Sequence, residues 1–219
     1  MANLNLLDAK IPITQKSYWT PTEAAKIKAQ MNTINAKYGK YINQAAAASN
    51  VNPEIITSFI AIESGGDQNA VNGRTVGLMQ LDPASASDIL AMENIKKRLT
   101  PTEKAILKKK LGKRLDQICR MRFLGDVVDG KITFVTAADL KDPEFNIAVG
   151  TIYLGLLIDE EEENKQIRFD RVVMRYNKGY FNKPDKKKSI EQNIADSNNT
   201  TRSYILKFGG VNGTMDLLT

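Results

Sequence analysis

The sequence predicts a mainly α-helical protein, and three observations carry that expectation. The first is a repeated helix-start signal. Thr20-Pro21-Thr22-Glu23, Asn52-Pro53 and Thr100-Pro101-Thr102-Glu103 each set a capping side chain before a proline at the first helical position, where its missing N–H costs nothing. The second is apolar spacing: Ile55, Ile56, Phe59, Ile60 and Ile62, and later Phe145, Ala148, Val149, Ile152 and Leu156, recur with helical period. The third is the scarcity of β signals, the exception being Gly125 to Thr136 (GDVVDGKITFVT), which predicts one small hairpin.

Taken in order, residues 1–19 read as an irregular arm containing Pro12 and the pair Tyr18-Trp19. A helix follows to about Tyr38, stopped by Gly39, and a second from Tyr41 to Ser49 packs through its alanine run. Asn52 opens the central helix, which Gly65-Gly66 closes. Ala84 to Leu99 is helical, and the Thr100 box opens a helix to Leu111, punctuated by Gly112 and resumed to about Leu124. Leu99, Ile106, Leu107, Leu111, Leu115, Ile118 and Phe123 form its apolar face. Asp142-Pro143-Glu144 starts a helix apolar nearly all round, hence a buried central one, with its EEEE end in solvent. Ile167 to Tyr176 is helical. Phe181 to Asn199 is a lysine-rich loop with one exposed helix, and a last helix around Thr201 to Lys207 precedes a short tail from Gly209.

With 219 residues the chain suits one domain with a real core. No apolar run approaches the roughly 20 residues that span a bilayer. MANLNLLDAKIPITQ lacks the basic start and apolar centre of a signal peptide, so the expectation is another route to any extracellular target. The chain has no histidine, which removes Ser-His-Asp and Cys-His catalysis and His-containing zinc sites. Acid/base work then falls on carboxylates, tyrosines or lysines with shifted pKa values. Cys119 is alone, so no intrachain disulfide forms and a filler role is expected. The net charge of +6 suits a polyanionic partner, whether nucleic acid, anionic membrane or cell wall. Much of it lies in KKRLTPTEKAILKKKLGKRLDQICRMRF, where a solvated helical face is favoured over a binding patch.

Glu63 falls on the apolar stripe of the central helix, four residues after Phe59. A carboxyl there is partly desolvated, which raises its pKa and suits a general acid; the plainer alternative is a terminal glutamate turned to solvent. Position alone leaves both open.

Glu63-Ser64, an Asn/Gly-rich loop, and Gly77-Leu78-Met79-Gln80-Leu81-x-Pro83 together resemble the soluble lytic transglycosylase (SLT) family, lysozyme-like enzymes that cut peptidoglycan. The resemblance continues in Asn146-x-x-x-Gly150-x-x-Tyr153-Leu154, in Tyr176-Asn177-x-Gly179 and in Thr201-x-x-Tyr204-x-x-Lys207. It implies the helical fold of goose-type lysozyme and SLT catalytic domains, with residues 1–40 as arm and helix. Residues 41–208 would be the catalytic domain, with an insertion at about 87–137 ahead of the next motif, and 209–219 the tail. It implies Glu63 as the catalytic acid/base. Ser64, Asn72, Met79, Gln80, Asn146, Tyr176, Asn177 and Tyr204 are then expected to bind substrate. Asn146 also reads as a buried amide in need of partners.

Several positions depart from the family pattern. The loop from Glu63 to Gly77 is one residue shorter than usual, Asn72 stands where a serine is common, and Met174-Arg175 replaces small residues. A glycoside hydrolase ordinarily uses two carboxyls, whereas the motifs here offer one. That agrees with the route the resemblance implies: Glu63 protonates the bond between N-acetylmuramic acid and N-acetylglucosamine, the substrate's acetamide assists, and Glu63 then deprotonates the C6 hydroxyl to close a 1,6-anhydro ring. No cofactor or metal enters that route. Were Asp67 or Asp82 to face the cleft across a water, a goose-type hydrolytic lysozyme would be the outcome. A third reading, from another class, is a structural or DNA-handling protein with a relic lysozyme-like domain. Peptidoglycan glycan strands are the expected partner. The basic body and the arm suggest a bacteriophage protein, virion-associated or released at lysis, with other virion proteins as further partners; nucleic acid remains open through the basic insertion.

Overall fold

A computed structural model describes residues 12–120, 134–163 and 166–218. The chain divides into two compact units, Ile34–Tyr153 and Met1–Thr33 with Leu154–Thr219. Among the described residues there are ten α-helices and two antiparallel two-stranded hairpins. The first helix, α1 (Pro21–Ser49), supplies residues to both units.

α1 does not break at Gly39. Met31, Ile34, Tyr38, Ile42, Ala45 and Ala46 form one buried stripe running past it. A mid-helix glycine costs about 1 kcal/mol, less than burying two such side chains returns. The helix stops instead at Asn50, whose φ of 54° is left-handed, with the Val51 N–H closing onto the Ala46 carbonyl (3.1 Å).

In the Ile34–Tyr153 unit, α2 (Pro53–Glu63) starts where expected, and the Asn52 side chain accepts from the Glu54 N–H at 2.8 Å. Its residues 55–61 are buried, and the Thr57 hydroxyl donates to the Asn35 side chain of α1 at 2.6 Å. β1 (Val71–Asn72) pairs with β2 (Thr75–Val76). α3 (Pro83–Ile95) is capped by Asp82 and ends short of Leu99, at a left-handed Lys97 with φ of 57°. α4 (Pro101–Leu111) carries a full capping box, and α5 (Lys113–Arg120) packs against both α3 and α4. Leu99, Ile106, Leu107, Leu111, Leu115 and Ile118 are buried as the spacing predicts. The hairpin expected at 125–136 falls largely on residues 125–133, outside the described residues, as does Phe123.

α6 (Ala137–Leu140) and α7 (Pro143–Glu160) follow, and α7 is almost wholly buried from Phe145 to Ile158. Four cations of the basic stretch are paired with acids: Lys108 with Asp116, Lys109 with Glu144, Lys110 with Asp142, and Arg114 with Asp139.

The other unit holds the end of α7, the β3–β4 hairpin (Glu162–Glu163 with Gln166–Ile167), α8 (Phe169–Lys178), α9 (Ile190–Asp196) and α10 (Asn199–Gly209). α10 packs on α8, with the Phe169 and Phe208 rings edge to face at 6.2 Å. The arm is held to α10 and the tail: the Ile13 N–H donates to Gly209 (2.9 Å), and Ser17 bridges to Val211. The EEEE end of α7 is not solvated. Glu161 is buried and paired with Arg175 at 2.7 Å, and Arg175 also reaches Glu160 at 2.8 Å. Two buried arginines on α8 need these carboxylates as counter-charges, which draws the acidic run inward.

Candidate active site

Glu63 is the last residue of α2 and is half-buried. The turn after it is built to leave the helix sharply. Ser64 accepts from the Gly66 N–H through its hydroxyl (3.2 Å), and Gly65 and Gly66 both take left-handed φ values, 64° and 86°. A Cβ on Gly66 would stand 2.9 Å from Ile34, so this glycine also permits close approach to α1. The Tyr38 hydroxyl donates to the Gly66 carbonyl (3.2 Å) and fixes the turn from the other side.

The chain then passes through Asp67, whose side chain accepts from the Asn69 N–H at 2.9 Å, into the β1–β2 hairpin. Asn72 is exposed on β1. Val76 and Leu81 pair in both directions (3.0 and 3.1 Å) and so close Gly77-Leu78-Met79-Gln80 into a tight loop.

That loop is knotted to α7 through one amide. Asn146 is fully buried; its NH2 donates to the Val76 carbonyl (3.0 Å) and the Leu140 carbonyl (2.9 Å), and its oxygen accepts from the Met79 N–H (2.8 Å). At Gly77, φ is 82° and an added Cβ would lie 2.2 Å from the Leu140 carbonyl oxygen, so no other residue fits. A Cβ on Gly150 would meet the Met79 sulfur at 2.3 Å, which explains the small residue there. Gln80, itself left-handed at φ 47°, donates to Ala70 (3.1 Å) and Gly77 (2.9 Å) and accepts from the Thr75 hydroxyl (2.9 Å).

These observations revise part of the expected substrate set. Met79 and Asn146 are fully buried, so neither side chain can touch a glycan; they are braces that hold the hairpin and loop against α7. The buried-amide reading of Asn146 is the one the geometry bears out. The Gln80 amide is committed to the loop's own backbone. Asp82 is consumed as the cap of α3, accepting from Ala84 (2.9 Å) and Ser85 (3.1 Å), and is paired with Arg74 at 2.8 Å. Further along α3, burial and then the Asp82 charge push the Asp88 carboxyl up to about 6.

In the second unit Tyr176 and Asn177 occupy the last turn of α8, with Tyr176 nearly buried and Asn177 exposed. Gly179, at φ 93°, ends the helix by donating to the Arg175 carbonyl (2.8 Å). Tyr204 lies on α10, nearly buried, with its ring 5.1 Å from that of Phe208.

Sequence reasoning missed the ion network under this motif. Arg168 forks onto Asp170 (3.0 and 2.9 Å), which also accepts from the Asn193 amide (2.7 Å). Arg171 pairs with Glu163 (2.7 Å), while Arg175 joins Glu161, Glu160 and the Tyr180 carbonyl (3.0 Å). A legible signal existed: arginines at i and i+4 on a helix otherwise rich in valine and aromatic residues. Among the described residues, no group of three or more His, Cys, Asp or Glu could hold a metal ion, and no helix is long and apolar enough to cross a membrane.

The helical architecture with its small hairpins is lysozyme-like. More particularly, residues 40–118 match the family model of the transglycosylase SLT domain. The matched span contains the last third of α1, all of α2, the Glu63 turn, the hairpin and the Gly77–Gln80 loop, and runs on through α3 and α4 into α5. Enzymes of that family are peptidoglycan lytic transglycosylases. Peptidoglycan is therefore the substrate class that the match supports.

Proposed function

We propose that this protein is a peptidoglycan lytic transglycosylase that cuts the β-1,4 bond from N-acetylmuramic acid to N-acetylglucosamine, with Glu63 as its single acid and then base. The observation that carries the reading is the placement of Glu63, half-buried at the end of α2 inside the SLT-matched span. Both half-burial and the negative end of a helix penalise a carboxylate, which favours holding a proton until a leaving group takes it.

In this reading Glu63 gives its proton to the glycosidic oxygen as the C1–O4 bond breaks. The acetamide oxygen of the muramic ring supports C1. The Glu63 carboxylate then removes the proton of the C6 hydroxyl, whose oxygen bonds to C1 and releases the acetamide. Glu63 ends protonated, as it began. The step consumes no water, so it needs no second carboxyl to activate one. The two nearest candidates for that task are otherwise engaged, Asp67 in its turn and Asp82 as a helix cap and partner of Arg74. Ser64 and Asn72 are the substrate contacts proposed in the unit that holds Glu63, and Tyr176, Asn177 and Tyr204 are those proposed in their own unit. The proposal extends to a bacteriophage source, with the protein virion-associated or released at lysis, which the basic charge and the arm support.

Mass spectrometry of digested, purified sacculi tests the reaction. Anhydro-ended muropeptides from wild type, and a loss of at least about a thousandfold in Glu63→Gln, are expected. Reducing ends would make the enzyme a hydrolase. No release by wild type would leave only the non-catalytic reading.

A further inference from the structure

Phe181 is the most exposed large apolar side chain among the described residues, at 68%. A lone surface phenylalanine is ordinary; the way this one is mounted is not. Its ring stands edge to face on Tyr180, centroids 5.1 Å apart. Tyr180 is fastened from three directions: its hydroxyl donates to Glu160 (2.6 Å), its ring lies under the Arg175 guanidinium (4.9 Å), and its carbonyl accepts from Arg175 (3.0 Å). Arg175 is buried and anchored in turn on Glu160 and Glu161.

The backbone around Phe181 is equally constrained. The Asn182 N–H donates to Gly179 (3.0 Å), its side chain to the Lys178 carbonyl (2.5 Å), and the Lys183 N–H to Phe181 itself (3.0 Å). The loop leaves α8 directly after Tyr176-Asn177-x-Gly179, so the ring is set four residues beyond Asn177. Lys178 and Lys183 flank it in sequence, both exposed and neither in an ion pair among the described residues. A buried ionic anchor, a clamped tyrosine and an ordered turn together fix an aromatic face in water, with two exposed lysines close to it in the chain. Rigid presentation lowers the entropy lost when a ligand docks.

We propose that Phe181 is a glycan-stacking platform. Its ring takes the apolar C–H face of a hexosamine in the wall strand, and Lys178 and Lys183 meet the free carboxylates of the attached stem peptides. This rests on the reading of the substrate as peptidoglycan, and deepens it by naming a contact outside the motif residues.

The test is co-sedimentation of the full chain carrying Glu63→Gln with purified sacculi, compared with the same chain also carrying Phe181→Ala or Phe181→Trp. Phe181→Ala should weaken binding about three- to tenfold, the range of one aromatic contact, and Phe181→Trp should regain it. Melting temperatures should agree within about a degree or two, because the ring is mostly in water already. With Glu63 intact, the loss should fall on the half-saturating sacculus concentration and spare the rate at saturation. Unchanged binding by Phe181→Ala overturns the platform, as does a loss that tryptophan does not recover. Wild type that binds sacculi but releases nothing refutes the catalytic reading and leaves the platform standing. A Glu63→Gln chain that does not sediment with sacculi overturns the platform, whatever products wild type releases.

Discussion

Asn146→Ala removes one side chain and three hydrogen bonds, and its cost can be worked from the contacts. The amide serves Val76, Leu140 and Met79 at 3.0, 2.9 and 2.8 Å in a fully buried setting. Each bond is worth about 1 kcal/mol net, and each backbone group left buried without a partner costs up to about as much again. Alanine returns roughly 0.5 kcal/mol of helix propensity to α7. The sum is a loss of about 3–5 kcal/mol, a large part of a typical domain's stability. Asn146→Asp sharpens the test, because the shape is kept while a carboxylate faces two carbonyl oxygens. Its pKa in the folded state must rise above the unfolded value of about 4. Stability is then retained below about pH 4 and lost as pH climbs through the folded value. Urea unfolding followed by circular dichroism, at pH 4.5 and pH 8, reads both effects as midpoint shifts at constant slope. An alanine variant that loses less than about 1 kcal/mol, or an aspartate variant indifferent to pH, would refute the brace.

Two further carboxyls give opposite pH signatures. Burial and Asp82 raise Asp88 to about 6, so its ionisation opposes folding: stability is full below about pH 4 and falls as pH rises through 6. Asp88→Asn should therefore gain about 1 kcal/mol at pH 7.5, after allowance for solvent screening, or about 2–4 °C in melting temperature, and nothing at pH 4. At Asp139 burial pushes the pKa up, but bonds from Arg114 and Thr136 outweigh it and hold the carboxyl at about 2. That contribution is present above about pH 4 and is lost as pH falls toward 2. Arg114→Met should cost about 1–2 kcal/mol at pH 6, a gap that narrows below pH 4 in denaturation midpoints.

The helical class and most helix starts were legible because caps are local chemistry. Asn52 and Thr100 cap as their sequences say. The false stop at Gly39 shows the limit: whether a glycine ends a helix depends on what its neighbours bury, and the stripe from Met31 to Ala46 carries α1 past it. The acidic run after α7 misled for a related reason. Charge predicts solvent unless counter-charges wait inside, and those sit on α8, later in the chain. At the candidate site, the place of Glu63 at the end of α2, half-buried, was legible from its stripe and the Gly-Gly stop. The braces were not, because a motif letter does not tell whether its side chain faces ligand or backbone. Met79 and Asn146 are set by loop geometry, and Gly77 because an added Cβ would stand 2.2 Å from the Leu140 carbonyl oxygen.

The same distinction bears on the buried charges of α8. Replacing an internal ion pair by apolar residues often costs nothing in stability, so Arg171, Arg175 and Glu161 are poorly explained as glue. They do fix how α8 is turned about its own axis. A shift of one residue in its packing would rotate each side chain by about 100°. Arg175 would then leave Glu161 and Glu160, and Asp170 would leave the Asn193 amide of α9, stranding buried charge. A purely aliphatic face tolerates such a slip far better, since one valine or leucine replaces another. Asn177 and the Gly179 turn continue from the same helix, so the direction in which they and Phe181 leave it is set by that charge register. The network's contribution is thus one of orientation: it selects a single rotation for the helix whose end presents the Tyr176-Asn177 motif.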